Sequence, residues 1–288
     1  YTTIAVTGIS GQVGSALHAQ QSDIQPVFAR FTHDMAPVIS ELNAIRPQRL
    51  INAAAFTQVD RAETDLDTSQ IVNTDAPSRL AKWCRSESAV LIHFSTDYVF
   101  DGQAKRPYVE TDPPAPLNVY GATKYAGELQ ILDSACHGLV LRTSWVLGRG
   151  QKNFVTTILR AGLERNQLQV VNDQYGRPTS ADLLAKIALE APISRNQSAQ
   201  ILHVTDSGEP TNWFDIASYA LNRARDFGYR GLDASNIEPI ASASYPQAAK
   251  RPMNSLLDCS LFDRTIGIAR RPWQDTVDAV VASDVSNW

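Results

Sequence analysis

Short apolar runs and amphipathic segments alternate through the first half of the chain. The apolar runs predict strands at "TIAVTG", "QPVFAR", "RLINAAA", "AVLIHFST" and "GLVLRTSWV". The segments between them predict helices at "QVGSALHAQQ", "PVISELNAI", "SRLAKWCRSES", for which Asp75 is a candidate cap, and "GATKYAGELQIL". Nearly continuous apolar strands are typical of a sheet that is covered on both faces. The alternation therefore predicts an α/β fold with a Rossmann-type, doubly wound parallel sheet.

The pattern changes after about Leu147, where longer amphipathic helices are separated by polar loops. The run "QILHVTD" predicts one more strand, which returns to the main sheet. No long polar linker divides the halves, so we expect a smaller, mixed C-terminal region rather than an independent domain. We assign residues 1–147 to dinucleotide binding, with 180–206 returning to that part, and residues 148–288 mainly to substrate binding.

Composition narrows the class of partner. The chain has 288 residues, 43% of them hydrophobic, and a formal net charge of −4. Because Lys and Arg are not clustered, nucleic acid and anionic membrane are poor candidates, and a small-molecule partner is favoured. The longest apolar stretch, "SAVLIHF", is far shorter than the roughly 20 residues that span a bilayer.

Residue usage also bears on location and metals. Three widely spaced cysteines argue against a disulfide framework and for a reducing compartment. The first strand leaves no room for a secretory leader, so we expect a cytoplasmic protein. The five histidines show no paired spacing, and we expect no metal site. The oligomeric state stays open, with a homodimer as one possibility.

A glycine motif follows the first predicted strand and opens the first predicted helix. Gly8, Gly11 and Gly14 are spaced as G-x-x-G-x-x-G. Glycines in this position permit a tight turn and let a pyrophosphate approach the free N–H groups of the helix N-terminus. A glycine triplet alone is often a simple turn, but its place between strand and helix favours a dinucleotide site.

The end of the second strand gives conflicting cues about the cofactor. Arg30 stands at the strand tip, where arginine can pair with the 2′-phosphate of NADPH. Asp34 lies about 20 residues past the last glycine, the distance usual for an acid that binds the ribose of NADH. We favour Arg30 and NADPH because Arg30 adjoins the strand end, while NADH and a merely solvated Arg30 stay open.

Two further strand ends carry small or polar residues. The third strand leads into "NAAAFT", Asn52 to Thr57, which suits either close approach to a cofactor or a close-packed turn. The next strand ends with Ser95, Thr96 and Asp97. Because the carboxyl ends of parallel strands form the ligand crevice, these residues are expected to meet at one edge of the sheet.

A tyrosine and a lysine lie one helical turn apart in "VYGATKYAGE". Tyr120 and Lys124 have the i, i+4 spacing of neighbours on a helix face, which alone is common. Beside the Thr96 hydroxyl, however, a Tyr and Lys suit proton donation to a carbonyl during hydride transfer. We expect the lysine charge to lower the pKa of Tyr120 and the ammonium to hold the nicotinamide ribose.

With these motifs in place, the chain resembles the extended short-chain dehydrogenase/reductase family. The resemblance covers nearly the whole chain and is carried by "GISGQVG", "NAAAFTQVDRAE", "STDYVFDG", "PLNVYGATKYAGE", "RTSWV", "NDQYGRPT" and "RPMNS". Such a series in this order is much more specific than the glycine motif. It implies an NAD(P)H-dependent oxidoreductase that reduces the 4-keto group of dTDP-4-dehydro-6-deoxy-L-mannose to dTDP-L-rhamnose.

The resemblance also implies roles for individual residues. Tyr120 would donate the proton, with Lys124 as its partner and cofactor ligand and Thr96 as the residue that tunes the tyrosine. Sugar contacts are implied for Thr96, Asp97 and Trp145. Cofactor contacts are implied at Gly11, Gln12, Val13, Ala55, Phe56 and Thr57, and near the adenine at Asp34 and Met35.

The chain departs from the family pattern near the second and fourth strands. The loop after the second strand is shorter than the pattern and lacks its ribose-binding acid, so this departure leaves both NADPH and NADH open. Phe94 stands where a tyrosine is usual. In the second half, Arg177, Lys250 and Arg251 are either solvated charges or ligands of a sugar-nucleotide pyrophosphate, since guanidinium pairs bidentately with phosphate oxygens.

Two other functions compete with reduction. A nucleotide-sugar epimerase or dehydratase would share the fold, but a 4,6-dehydratase usually has an Asp-Glu pair beside the strand hydroxyl. Here Asp97 is followed by Tyr98, so reduction is favoured. A non-catalytic regulatory subunit, similar to the methionine adenosyltransferase beta subunit, is the second rival. The complete set of Tyr120, Lys124 and Thr96 argues for an enzyme.

Overall fold

Strands alternate with helices along most of the computed structural model, which describes residues 2–165, 167–229, 231 and 234–285. The strands are, in chain order, β1 (Ile4–Thr7), β2 (Gln25–Val27), β3 (Arg49–Asn52), β4 (Val90–Thr96), β5 (His137–Thr143), β6 (Val146–Leu147), β7 (Leu168–Val171), β8 (Tyr175–Gly176), β9 (Thr179–Ser180), β10 (Gln200–His203), β11 (Thr211–Asn212) and β12 (Ile237–Ile240). The helices are α1 (Gln12–Gln20), α2 (Ala36–Ile45), α3 (Val59–Ala62), α4 (Leu66–Gln70), α5 (Ala76–Ser86), α6 (Val119–Asp133), α7 (Phe154–Glu164), α8 (Ala181–Glu190), α9 (Trp213–Asp226), α10 (Ser260–Ile266) and α11 (Trp273–Val285). None of these helices is long and apolar enough to cross a membrane.

A six-stranded parallel sheet in the order β10-β5-β4-β3-β1-β2 forms the centre of the fold. One face packs on α1, α8 and α10 through an apolar cluster that includes Leu17, Leu184 and Phe262. The other face packs on α2, α5 and α6 through residues such as Leu42 and Ile131. The sheet is therefore covered on both faces, which confirms the predicted Rossmann-type fold.

A separate apolar cluster holds three further helices together. Buried residues of α7, α9 and α11 pack there with β7 and β12, and Trp273 closes one side. Strands β7 and β12 pair in parallel outside the main sheet, while β10 pairs with β5 inside it. Residues after Leu147 thus contribute both to the central sheet and to a second layer of helices.

Two local predictions from the sequence are wrong. Asp75 makes no side-chain cap. It is the last residue of a π-helical turn, Ile71–Asp75, and because this turn continues directly into α5, there are no free N–H groups of a helix start for Asp75 to cap. The predicted strand "GLVLRTSWV" breaks at Trp145, whose φ of 50° is left-handed, so β5 ends at Thr143 and β6 pairs with β9 instead. Backbone in this conformation cannot continue a strand.

A buried ion pair fixes α6 to the sheet. Arg142 Nη2 lies 2.6 Å from Glu128 Oε2, and the side chains are 2% and 0% exposed. The Ser95 hydroxyl donates to the same carboxylate, and the guanidinium lies 5.1 Å from the centre of the Phe100 ring. Burial, followed by the charge of Arg142, lowers the pKa of His203 to about 3, so this neighbouring imidazole is neutral. Removing one partner of such a pair leaves an uncompensated buried charge.

Candidate active site

The carboxyl end of β4 supplies the first polar groups of the site. β4 runs into a 3-10 turn, Asp97–Val99, for which Thr96 is the N-cap, and its hydroxyl oxygen accepts from the N–H of Tyr98 at 3.1 Å. The same hydroxyl donates to Asp97 Oδ1 at 3.0 Å. Thr96 and Asp97 are both buried. A hydroxyl and a carboxylate thus lie at the edge of the sheet where ligands bind in this class of fold.

Helix α6 brings Tyr120 to this strand end. The helix starts at its N-cap, Asn118, whose side-chain oxygen accepts from the N–H of Gly121 at 2.8 Å. A Cβ on Gly121 would lie 2.2 Å from the carbonyl oxygen of Tyr98, so only glycine permits this approach between helix and turn. The close packing places the Tyr120 hydroxyl within hydrogen-bonding reach of Thr96.

Tyr120 is a weak acid that is protonated at neutral pH. Burial raises its pKa to about 12, the hydrogen bond with Thr96 lowers it, and the charge of Asp97 raises it. The ring of Tyr98 stands edge-on to it, with 5.8 Å between the ring centroids. A positioned phenol of this kind can donate a proton to a carbonyl oxygen, which is the chemistry predicted for Tyr120.

Lys124 is turned toward the sheet rather than toward the phenol. Its Nζ donates to the carbonyl oxygen of Phe94 at 2.6 Å and lies 3.1 Å from Nε2 of His93. Burial lowers its pKa to about 8, and the charge of Glu128 raises it. The pKa of Tyr120 is raised because burial of the phenol dominates, and Lys124 is not among the groups that shift it, so the expected lowering by Lys124 is not seen. An ammonium has three donors, which leaves one for a cofactor hydroxyl.

Asp97 keeps one carboxylate oxygen without a partner in the described chain. Its Oδ2 is buried and accepts no hydrogen bond. Burial raises its pKa to about 7, while the nearby hydroxyls of Ser255 and Thr96 lower it. A buried polar atom left without a partner costs about 1–3 kcal/mol. Such an atom is typical of a site whose ligand supplies the missing donor, and a sugar hydroxyl has the required chemistry.

The glycine-rich loop fits a dinucleotide. Gly8 has a φ of 73°, and a Cβ there would lie 2.6 Å from the backbone nitrogen of Ala54, so the loop lies against the end of β3. A Cβ on Gly14 would lie 2.2 Å from the carbonyl oxygen of Gly8. A Cβ on Gly11 would contact only that same oxygen, at 3.4 Å, and α1 has no side-chain cap at its start. The protein leaves room and helix N–H groups beside Gly11, which suits a pyrophosphate.

The residues after β2 lie in three different environments. Arg30 is exposed and makes no hydrogen bond or ion pair with the described residues. Asp34 Oδ1 accepts from the N–H of Ala36 at 2.9 Å at the start of α2, and Met35 is buried in the sheet-covering cluster at 3% exposure. Asp34 and Met35 therefore have structural roles beside any contact with an adenine. Glu41, which the sequence did not single out, accepts from the N–H groups that follow β2.

The loop after β3 is fixed by a buried asparagine. Asn73 Oδ1 accepts from the N–H of Phe56 at 2.9 Å, and its Nδ2 lies 3.1 Å from the Phe56 carbonyl oxygen. Nδ2 also lies 3.2 Å from Thr123 Oγ1 on α6. This clamp holds the segment that contains Ala55 and Thr57 next to the Tyr120 helix. A buried asparagine in the π-helical turn carries no sequence signal of its own.

Two tryptophans from distant parts of the chain stack on each other beside the helical cluster. Trp145 stacks on Trp213 with ring centroids 3.9 Å apart and an interplanar angle of 27°. A Cβ on Gly176 would lie 2.7 Å from the Trp145 ring, so glycine lets β8 pass over it. A cavity of about 340 Å³ is lined by Trp213 together with Tyr98 and other side chains. Trp145 is not among the side chains that line this cavity, and its contact with a sugar stays a prediction.

The two predicted substrate arginines are placed differently. Arg251 lines the 340 Å³ cavity and also a second one of about 540 Å³, and its Nη2 lies 2.7 Å from Asp60 Oδ2. Arg177 lines neither; its Nη1 lies 3.4 Å from the carbonyl oxygen of Leu257, and its buried Nε has no partner in the described chain. Lys250 is exposed, and its carbonyl oxygen accepts from Asn118. In the parts of the chain described above, no cluster of His, Cys, Asp and Glu could hold a metal ion.

Comparison with known proteins identifies the family. A family model described as "RmlD substrate binding domain" matches residues 2–285. The chain belongs to the RmlD family. Among the curated relatives of this RmlD-family chain is "dTDP-4-dehydrorhamnose reductase" of Escherichia coli (strain K12), which is 36% identical over 283 residues and 94% of each chain. These matches confirm the resemblance to a reductase that the motifs had indicated.

Two other relatives of this RmlD-family chain name a cofactor or a different keto sugar. A crystal structure of dTDP-4-dehydrorhamnose reductase from Bacillus anthracis, in complex with NADP, aligns with a TM-score of 0.85 at 29% identity and covers 98% of this chain and 99% of that one. The "dTDP-4-keto-6-deoxy-D-glucose reductase" of Streptomyces niveus is 35% identical over 260 residues, 88% of this chain and 87% of its own.

Proposed function

We propose that this chain reduces the 4-keto group of dTDP-4-dehydro-6-deoxy-L-mannose to dTDP-L-rhamnose, with NADPH as the preferred cofactor and NADH as the alternative. The observation that carries the proposal is the Tyr120 hydroxyl, a protonated acid whose pKa is shifted by the hydroxyl of Thr96 and by the charge of Asp97. Asp97 also has one buried oxygen without a partner in the described chain. Support for the substrate class and cofactor comes from the reductase in Escherichia coli and the NADP complex from Bacillus anthracis.

The residues at the carboxyl end of β4 would perform the proton chemistry. Bound NADPH supplies the hydride to the keto carbon. Tyr120 donates its proton to the oxygen of the same group, and the Thr96 hydroxyl orients the phenol and contacts that oxygen. Asp97 accepts from a sugar hydroxyl through Oδ2, which satisfies the carboxylate oxygen that the protein leaves free. Lys124 uses its remaining N–H to hold a cofactor ribose hydroxyl.

Cofactor and sugar nucleotide would bind to different parts of the chain. We assign the cofactor to residues 1–147, with 180–206, and the sugar nucleotide mainly to residues 148–288. The glycine loop would hold the pyrophosphate, with Gln12 and Val13 giving backbone N–H groups, and the segment from Ala55 to Thr57 would lie along the dinucleotide. The Gln12 side chain accepts from the N–H of Gly148 at 2.7 Å, which supports a backbone rather than a side-chain contact.

The 340 Å³ cavity beside Tyr98 is the proposed place for the nucleotide. Trp213 gives it an aromatic face, and its Nε1 lies 3.3 Å from Gln174 Oε1. Arg251 adds a cation whose two terminal nitrogens are already bound to Asp60. Its contribution to a diphosphate would therefore come through charge and Nε rather than through a bidentate fork.

The test is NADPH oxidation by the purified chain with two 4-keto sugars. We expect faster turnover of dTDP-4-dehydro-6-deoxy-L-mannose than of dTDP-4-dehydro-6-deoxy-D-glucose, the sugar class named for the Streptomyces niveus relative. A preference for the second sugar would reassign the substrate. NADPH binding with no oxidation above the sugar-free control would contradict the enzyme and favour the regulatory alternative.

A further inference from the structure

A row of buried polar side chains links the glycine-rich loop to Lys124. Thr7, Asn52 and His93 occupy paired positions on β1, β3 and β4 and are 2%, 1% and 0% exposed. Thr7 Oγ1 lies 2.6 Å from Asn52 Oδ1, and Asn52 Nδ2 lies 3.0 Å from His93 Nδ1. His93 Nε2 lies 3.1 Å from Lys124 Nζ. Thr7 directly precedes Gly8, so the row runs from the cofactor loop to the proposed cofactor ligand.

The row has two possible hydrogen-bond directions. A neutral imidazole has one N–H and one lone pair, so His93 cannot donate from both nitrogens. When the Asn52 amide nitrogen donates to Nδ1, the ring proton is on Nε2 and Lys124 must accept it as a neutral amine. When the amide is turned over, Nδ1–H donates to the Asn52 oxygen, and Nε2 accepts from a Lys124 ammonium. The Thr7 hydroxyl serves both directions because it can donate or accept.

The surroundings allow only Lys124 to change charge in this row. Burial, followed by the charge of Lys124, lowers the pKa of His93 well below its usual value, so the ring stays neutral. Lys124 itself has a pKa lowered to about 8 by burial. The charge that raises its pKa is that of Glu128, one turn along α6, and Glu128 is itself bound to Arg142 of β5.

We propose that His93 is a positioning residue for Lys124, and that the Thr7–Asn52–His93 row follows the charge of Lys124 by changing the histidine tautomer. With the ammonium, His93 accepts at Nε2 and fixes Nζ beside the Phe94 carbonyl. When Lys124 loses its proton, the imidazole proton is found on Nε2 instead of Nδ1, and one proton in total goes to solvent. The benefit to cofactor binding rests on the proposed function, whereas the tautomer change does not.

Nitrogen NMR of the wild-type chain tests the tautomer directly. The chain has five histidines, and His93→Gln identifies the signals of His93 in two-bond ¹H–¹⁵N spectra. Labelled lysine, with Lys124→Met for assignment, reports the titration of Lys124 in the same samples. We expect Nδ1–H below and Nε2–H above the pKa of Lys124 near 8, and a single tautomer at all pH values in Lys124→Met. A His93 ring that keeps one tautomer while Lys124 titrates, or becomes an imidazolium, would overturn the proposal.

Kinetics give a second readout that a purely structural histidine would not change. His93→Leu removes the acceptor of the ammonium, so the alkaline limb of kcat/KM for NADPH should move down by about one pH unit or more. His93→Gln keeps an amide oxygen and should restore part of the shift. His203→Leu is the matched control, because His203 is equally buried but lies outside the row. An unmoved limb in His93→Leu, or an equal movement in His203→Leu, would contradict the proposal.

Absence of any reductase activity would refute the proposed function and leave the tautomer experiment intact. Conversely, a fixed tautomer in an active enzyme would refute the role of His93 alone. The two failures are therefore distinguishable in the same preparations.

Discussion

Replacing Tyr120 by phenylalanine removes one hydroxyl and leaves the ring in place. The ring keeps its edge-on contact with Tyr98, at 5.8 Å between centroids, and Thr96 keeps its bonds to Asp97 and to the N–H of Tyr98. The fold loses at most one hydrogen bond, about 1 kcal/mol of the free energy of unfolding. Any large loss of rate in Tyr120→Phe therefore reports on chemistry rather than on folding.

The expected loss follows from the protonation state of the phenol. Because the pKa of Tyr120 is about 12, almost every molecule carries the proton at pH 7, and the whole catalytic benefit disappears with the hydroxyl. Losing a positioned general acid costs about 10² to 10⁴ in rate. That range corresponds to about 2.7–5.5 kcal/mol in activation free energy.

A single-turnover assay measures this step best, because product release limits steady-state turnover in many enzymes. Enzyme in excess over the keto sugar, with saturating NADPH, should reduce it about 10² to 10⁴ times more slowly in Tyr120→Phe, while NADPH affinity is retained. Tyr108→Phe is the matched control, since its hydroxyl donates to Asp101 at 2.7 Å away from the site. A Tyr120→Phe rate within about threefold of wild type would refute the assignment of the acid.

Three other outcomes follow from the same structure. Arg30→Ala should weaken NADPH binding about tenfold and leave NADH binding almost unchanged. Arg46→Ala, at the C-terminal end of α2, is the control. Equal losses of affinity for both cofactors would show that Arg30 does not contact the 2′-phosphate of NADPH. Glu128→Gln should cost about 3–5 kcal/mol of unfolding free energy in urea denaturation, because Arg142 is left buried without its partner; a change within experimental error would contradict this. His203 has a folded pKa of about 3, below its unfolded value of about 6.5, so its contribution to the free energy of unfolding is present above pH 6.5 and is lost as the pH falls toward 3. His203→Gln should flatten the dependence of the unfolding free energy on pH in that range. An unchanged slope in the variant would contradict this.

The fold was predictable because buried strands leave a recognisable apolar pattern in the sequence. β3 and β4 are built around short apolar runs, Leu50–Ile51 and Val90–Ile92, and their order with the intervening helices leaves few arrangements other than a doubly wound sheet. Gly14 was readable for a similar reason: a Cβ there would lie 2.2 Å from the carbonyl oxygen of Gly8, six positions earlier, so the residue type is dictated locally. Such constraints act on a few neighbouring residues and leave a mark in the sequence.

Features set by tertiary contact were missed. Trp145 has a left-handed backbone and its ring stacks on Trp213, nearly 70 positions later, and no local pattern shows that partner. The direction of Lys124 was also missed, because His93 lies inside an apolar strand pattern and looks like a core residue. Residues on the neighbouring strand decide whether a buried histidine only packs against apolar side chains or also forms hydrogen bonds. Here that residue is Asn52, at the paired position.

The most direct test of the central claim follows a deuterium atom. The chain is incubated with dTDP-4-dehydro-6-deoxy-L-mannose and NADPH that carries deuterium at C4 of the nicotinamide, using each labelled face in turn. One labelled face should give dTDP-L-rhamnose with one deuterium at C4 of the sugar for each NADP⁺ formed, and the other face should give none. NADPH consumption without labelled dTDP-L-rhamnose from either face, or no consumption at all, would contradict the account.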